Sequence, residues 1–122
     1  MMQANQPVAR MNISCQSLEP DIALVQLNGR LDAQTSPEAK TTLQELVDGG
    51  QRKIIIDLEQ VLFIDSSGLV ALVSGLRLAR KENGNVVLCG VQPQAQVVFQ
   101  LTMLDRIFTI QPTVEEARQS LV

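Results

Sequence analysis

The chain has 122 residues, of which 45% are apolar and only 2% aromatic, and its 10 basic and 13 acidic residues give a net charge of -3. The charges are spread along the chain without the basic stripe that phosphate-backbone binding needs, which argues against a nucleic-acid partner. The chain contains no histidine and its two cysteines are not spaced as metal ligands, so zinc chemistry and histidine-activated nucleophiles are excluded.

Length and composition fit one domain. Residues 1–11 are polar and aperiodic and predict a flexible N-terminal extension, with the folded domain covering 12–122. This N-terminal segment has no apolar signal region and no stretch approaches the roughly 20 residues of a membrane span, so we expect a cytoplasmic protein without membrane contact.

The first elements in the chain are two β-prone runs, NISCQSL and IALVQLN, which flank EPD and predict a hairpin. In the next segment, GRLDAQTSPEAKTTLQELVDGG, Thr35 or Ser36 can cap a helix that begins with Pro37 and stops at Gly49-Gly50. The buried stripe of this helix is predicted at Ala39, Leu43, Leu46 and Val47.

A continuous apolar run, RKIIIDL, predicts a central strand, and a turn at Glu59-Gln60 separates it from VLFI. A second helix, SSGLVALVSGLRLARKENG, begins at the serines and stops at Asn83-Gly84. The strand NVVLCG follows, so that strand, helix and strand predict a parallel crossover.

The C-terminal part predicts a helix in PQAQVVFQL, a short strand in RIFTI and a last helix in which Thr113 and Glu116 are spaced as a capping box. These elements together predict an α/β fold with a mixed sheet of four to five strands and about four helices packed mainly on one face. Cys15 and Cys89 lie in apolar strand-like runs, and both are expected to be buried and reduced.

The stretch FIDSSGL at the start of the second helix has two interpretations. Asp65, Ser66 and Ser67 carry the short oxygen-bearing side chains that accept hydrogen bonds from free amides at a helix start. Alternatively, one hydroxyl is a modification site, since a helix N-terminus tolerates a phosphate. Gly68 indicates close approach by a neighbouring strand or by the backbone of a partner.

The rest of the second helix predicts a docking strip. A projection at 100° per residue gathers the core side chains on one face: Leu69, Leu72, Val73, Leu76 and Ala79. Val70, Ser74 and Leu78 lie away from that face, in a strip that begins beside Ser66 and is flanked by Arg77 and Lys81. Cover by a loop or by the N-terminal extension is the other explanation for an apolar strip there.

From about residue 12 to residue 121, the chain resembles the STAS family of anti-sigma-factor antagonists, through GRLDA before the first helix, FIDSSGL before the second and LDRIF near the C-terminus. The resemblance implies that Ser66 is phosphorylated by a kinase that is also an anti-sigma factor, and that a PP2C-type phosphatase reverses the modification. It also implies that the unphosphorylated form binds this kinase and frees a sigma factor, and that the domain catalyses nothing.

One residue departs from the family's pattern. Arg30 stands in GRLD where the family often has a glutamate. A cation at that position attracts partner residues of the opposite charge from those that a glutamate attracts. The partner is therefore expected to be a different kinase or a multidomain regulator. Asp32 keeps the family's acid, and capping of the first helix is its other explanation. The expected partner-binding residues are Arg30, Asp32, Asp65, Ser67, Gly68, Val70, Ser74 and Leu78, with Ser67 mainly a structural residue of the first turn.

A second class of function stays open, namely a small-ligand module that holds a nucleotide or another anion at the start of the second helix. The glycines of SSGLVALVSG lack the spacing and the lysine of a phosphate-binding P-loop. No cofactor and no metal are expected.

Overall fold

The computed structural model describes residues 11–122, which form a five-stranded mixed sheet and four α-helices. A short 3-10 helix, Leu104–Arg106, follows the third α-helix. In chain order the elements are β1 Asn12–Glu19, β2 Ile22–Leu31, α1 Ser36–Asp48, β3 Lys53–Ile64, α2 Ser66–Lys81, β4 Asn85–Cys89, α3 Pro93–Leu101, β5 Thr109–Gln111 and α4 Val114–Leu121.

The strands lie in the order β1-β2-β3-β4-β5. The hairpin strands β1 and β2 are antiparallel, and the other neighbours pair in parallel. This arrangement confirms the α/β class and the parallel pairing predicted from the strand, helix, strand order, since parallel neighbours need a crossover element between them.

Two apolar clusters lie on opposite faces of the sheet, because successive strand side chains alternate in direction. The main cluster packs α1, α2 and α3 against residues such as Ile54 and Ile56. The smaller one packs Ala117 and Leu121 of α4 against the other face, around Ile55. Three of the four helices therefore share one face, as predicted.

Strand β3 does not turn at Glu59-Gln60; it continues to Ile64 with two bulges. Between its pairings at Asp57 and Gln60, and again between Val61 and Phe63, β3 has one more residue than β2. The Asp57 carboxylate accepts the Glu59 N–H at 3.0 Å and so replaces a ladder bond at the first bulge. The predicted turn was wrong because polar residues also occupy bulges.

The predicted strand RIFTI was wrong in its first half. Arg106 belongs to the 3-10 helix, and β5 begins only at Thr109. Between them, Phe108 is buried against Phe99 of α3 in an edge-to-face arrangement with 5.9 Å between the ring centroids. This contact fixes the 3-10 helix beside α3.

The two cysteines are free and differ in burial. Cys15 is exposed, contrary to the prediction, because β1 is an edge strand with most of its side chains exposed. Cys89 is buried as expected, and burial together with the nearby carboxylates of Asp57 and Glu59 raises its pKa to about 12.

The start of the fold lies one residue earlier than predicted, because Met11 is buried in the main core cluster. The predicted flexible extension, 1–11, otherwise falls outside the described residues. From Met11 onward no helix combines the length and apolar character that crossing a bilayer requires.

Candidate functional site

Asp65 alone caps helix α2. Its backbone is extended, and its Oδ1 accepts the Gly68 N–H at 3.1 Å. The Asp65 N–H donates to the Leu31 carbonyl at the end of β2, 3.2 Å away. The Asp65 carboxylate therefore caps the helix by accepting a free N–H of its first turn, and the hydrogen bond to β2 fixes the position of the Asp65 backbone.

The two serines that follow are not needed for capping. Ser66 is exposed and Ser67 is half-buried. Neither hydroxyl forms a hydrogen bond with any residue from 11 to 122. The expectation that Ser67 would bind free amides of the first turn is therefore wrong, and both hydroxyls are available for other chemistry.

Replacing the cap is expected to destabilise the fold measurably. Asp65→Ala should lower the free energy of unfolding by about 1 kcal/mol, because one helix N–H loses its acceptor. Urea titration of Asp65→Ala, Asp65→Asn and wild type measures this, with Asn keeping an acceptor oxygen as the control. Equal stability of the alanine variant and wild type would show that the cap contributes nothing.

Gly68 lies inside the protein. A Cβ at this position would lie 2.5 Å from the Leu31 carbonyl oxygen and 2.9 Å from Leu31 Cγ. Close approach by the neighbouring strand thus explains the glycine. Its expected role in partner binding stays a prediction.

The loop between β2 and α1 is ordered by its own side chains. Asp32 Oδ1 accepts the N–H groups of Gln34 at 3.0 Å and Thr35 at 3.3 Å. The Thr35 hydroxyl donates to the Arg30 carbonyl at 2.6 Å, and that of Ser36 donates to the Asp32 carbonyl at 2.5 Å. Thr35 is the N-cap residue by position, but its side chain makes no capping bond, so the predicted capping by Thr35 or Ser36 was wrong.

Asp32 is held in its ionised form. Partial burial opposes the charge, but hydrogen bonds from the Gln34 and Thr35 amides, the Thr35 hydroxyl and Arg30 outweigh it and lower the pKa of Asp32 below its ordinary value. The carboxylate orders the loop that precedes α1 and does not cap the helix itself. A fixed negative charge thus stands at this edge of the site.

Two contacts hold the Arg30 guanidinium in a fixed position. Its Nε lies 3.5 Å from Asp32 Oδ2, and its Cζ lies 4.1 Å from the ring centroid of Phe63, the residue opposite it on β3. The side chain is half exposed even so. Stacking and ion pairing hold the guanidinium in one place and leave donors free for a partner.

Val70 forms a ridge between two grooves. It is 61% exposed, one turn beyond Ser66. One groove, of about 400 Å³, lies toward α1 and is called the α1 groove; it is lined by Ala33, Ser36, Pro37, Lys40, Ser67, Val70 and Ala71. The other, of about 390 Å³, reaches the 3-10 helix and is called the 3-10 groove; it is lined by Ser66, Leu69, Val70, Val73, Ser74, Arg77 and Leu104.

The three residues predicted to form a docking strip on α2 differ in their surroundings. Val70 and Ser74 line the 3-10 groove. Leu78 is half-buried and packs against the main core cluster, so its predicted position away from the core was wrong. Val70 and Ser74 are thus the predicted strip residues that line a groove, and their contact with a partner stays a prediction.

Two residues of the site were missed in the sequence. Gln94 of α3 accepts the Ile64 N–H at 2.9 Å and donates to the Ile64 carbonyl at 3.0 Å, in the manner of a neighbouring strand. Leu104 of the 3-10 helix lines the groove beside Ser66. A glutamine in a first helical turn carries no signal of such a contact, whereas LDRIF entered the sequence analysis only as a motif of the family resemblance.

The described residues hold no group of three or more His, Cys, Asp or Glu side chains that could bind a metal ion. The site itself offers an accessible hydroxyl beside apolar grooves and fixed charges.

Residues 17–117 match the STAS domain family. The anti-sigma-B factor antagonist of Staphylococcus aureus is 30% identical over 95 residues, which make up 77% of this chain and 88% of that protein. An anti-sigma factor antagonist from Mycobacterium paratuberculosis superposes with a TM-score of 0.82 at 24% identity, over 91% of this chain and 93% of that one. The Bacillus cell fate determinant SpoIIAA, solved in its phosphorylated form, has a TM-score of 0.72 at 22% identity, over 91% and 100%. The two structures share the fold described above.

Proposed function

Since the chain belongs to the STAS domain family, we propose that it is an anti-sigma-factor antagonist whose unphosphorylated form sequesters an anti-sigma factor and so regulates transcription. Phosphorylation of Ser66 ends this interaction in the proposal. The anti-sigma factor is itself the serine kinase, a PP2C-type phosphatase restores the free hydroxyl, and the domain is a binding module and not an enzyme.

The observation that carries the proposal is the division of roles between Asp65 and Ser66. Asp65 provides the helix cap, so the exposed Ser66 hydroxyl has no structural bond to lose. It also lies at the edge of a groove that contains the most exposed apolar residue of α2, Val70. A phosphate there changes a docking surface without disturbing the fold. The phosphorylated SpoIIAA, which shares this fold, is consistent with such a modification.

Electrostatics gives the sign of the switch. A phosphate adds about -1.5 to -2 charges, which the partial positive charge of the α2 N-terminus tolerates. The same charge beside Asp65 repels an acidic partner and opposes the burial of apolar groove residues. The modified protein should therefore stay folded and release its partner.

Partner choice is assigned to the edge formed by β2 and its following loop. Arg30, stacked on Phe63 and paired with Asp32, offers guanidinium donors at a fixed position. A partner residue facing it should be acidic, since a cation there would be repelled. At this contact, the kinase is therefore expected to differ from the kinases that bind family members with a glutamate at the position of Arg30.

Phosphorylation of Ser66 is the direct test. Each purified anti-sigma factor kinase of the host is incubated with the protein and ATP, and the phosphate is located by mass spectrometry. We expect one kinase to label Ser66 in wild type and in Ser67→Ala, and not to label Ser66→Ala. Labelling of Ser67 alone, or of no residue by any kinase, would refute the proposal.

A small-ligand module remains the second class of function. The cap argues against it, because the Gly68 N–H, which a bound anion would need as a donor, is already bonded to Asp65 Oδ1. Thermal unfolding with and without ATP, GTP and inorganic phosphate tests it, since a ligand that binds only the folded state raises the melting temperature. We expect no rise.

A further inference from the structure

We propose that the anti-sigma factor is anchored in the 3-10 groove and not in the α1 groove, by an apolar side chain on a segment that also carries acidic residues. This inference rests on the proposed function and specifies the partner surface that fits the site. Three observations carry it: the groove's apolar lining, the charges around it and the position of Ser66.

The 3-10 groove can receive an apolar side chain. Leu69 is buried at its base, Val73 and Leu104 are half-buried, and Val70 forms its exposed ridge. Apolar surface continues beyond it, since Met103, just before Leu104 in the chain, is 59% exposed. An isolated apolar residue on a surface is ordinary, whereas a concave apolar group with an apolar border is typical of a docking site.

The charge beside the groove is mainly positive. Arg77 lines it and is exposed. Arg80 donates to the Ile107 carbonyl at 3.0 Å and so links α2 to the residue after the 3-10 helix. Arg106 adds a third exposed cation in the 3-10 helix, against two carboxylates, that of Asp105 in the same helix and that of Asp65 beside Ser66. Complementarity therefore favours an acidic segment as the occupant.

The position of Ser66 distinguishes the two grooves. Ser66 lines the 3-10 groove, whereas Ser67 lines the α1 groove together with Lys40. A phosphate on Ser66 thus projects into the groove that contains Leu104. A modification that controls binding acts most strongly when the added group lies within the contact between the two proteins. The anchor is therefore placed in the 3-10 groove, on the Ser66 side of Val70.

Two matched charge reversals test the assignment. Arg77 and Lys40 are both exposed cations on helices, and each lines one groove. Binding of the purified kinase that labels Ser66 is measured without ATP by calorimetry, at low and moderate salt. Arg77→Glu should weaken binding by roughly ten-fold and more strongly at low salt, whereas Lys40→Glu should change it by less than about two-fold.

Leu104→Ala tests the apolar contact, and its melting temperature is recorded because Leu104 also packs against the core. We expect binding to weaken by about ten-fold in a folded variant. If wild type binds and Lys40→Glu loses as much affinity as Arg77→Glu, or if Arg77→Glu binds normally, the groove assignment is wrong and the proposed function stands. If wild type binds no anti-sigma factor kinase, the proposed function fails and the inference with it.

Discussion

The Ser66→Asp variant is expected to bind the anti-sigma factor roughly 100-fold more weakly than wild type, with an unchanged melting temperature. An unpaired or like charge buried at an interface costs about 2–5 kcal/mol, and each 1.4 kcal/mol is about a factor of ten in affinity. The fold should be insensitive because Ser66 is exposed and its hydroxyl makes no hydrogen bond within residues 11–122. Calorimetry measures the affinity, and circular dichroism the melting temperature.

Two further variants interpret that result. Ser66→Ala should bind as tightly as wild type, because the loss of an unbonded hydroxyl removes no contact of the fold. Ser67→Asp adds the same charge in the α1 groove and should weaken binding less than Ser66→Asp. If Ser66→Asp bound with wild-type affinity, a negative charge at Ser66 could not be the switch.

Gly68→Ala is expected to destabilise the protein by roughly 1–3 kcal/mol, although alanine is the better helix former by about 1 kcal/mol. The new Cβ would lie 2.5 Å from the Leu31 carbonyl oxygen, which is backbone and cannot rotate away. That carbonyl also accepts the Asp65 N–H, so relief of the clash must move the start of α2 or the end of β2. The midpoint of urea unfolding measures the loss.

Gly75→Ala, on the same helix, provides the control. Its Cβ would also lie 2.5 Å from a neighbour, but that neighbour is Cδ1 of the Leu43 side chain, which can rotate. We expect a smaller loss of stability for this variant. A Gly68→Ala protein as stable as wild type would mean that the β2 end yields easily and that the glycine is not required by packing.

Much of the fold could be predicted because local signals agreed with tertiary packing. The 3.6-residue period of α2, with DSS at its start and Asn83-Gly84 after its last turn, marked both ends of the helix that carries the site. Pro93 marked the start of α3, and Thr113 did so for α4, where its hydroxyl accepts the Glu116 N–H. The order of these elements then determined the parallel pairings.

The rest depended on contacts between distant residues. Nothing local distinguishes Asp65 from Ser66 as the cap; the Leu31 carbonyl, from another strand, fixes the backbone that makes Asp65 the cap. Gln94 contacts a residue 30 positions away, and Leu104 lies in a 3-10 helix close to Phe108, which packs on Phe99 of α3. Cys15 was placed wrongly because an apolar run does not show whether a strand lies at the centre or the edge of a sheet.

The two bulges of β3 have a consequence for sequence alignment. Ile54, Ile56 and Leu58 face the main core at intervals of two, and Val61 and Ile64 then follow at intervals of three. Each bulge shifts the alternation by one residue, so the two together restore it, and Ile64 again faces inward while Asp65 begins α2. A relative that lacks one of these extra residues would lose that bulge together with its shift, and the side chain aligned with Ile64 would still face the main core. Single-residue gaps in alignments of this segment are therefore expected at the two bulges, whereas a gap in the regular part of β3 would turn the core-facing side chains outward.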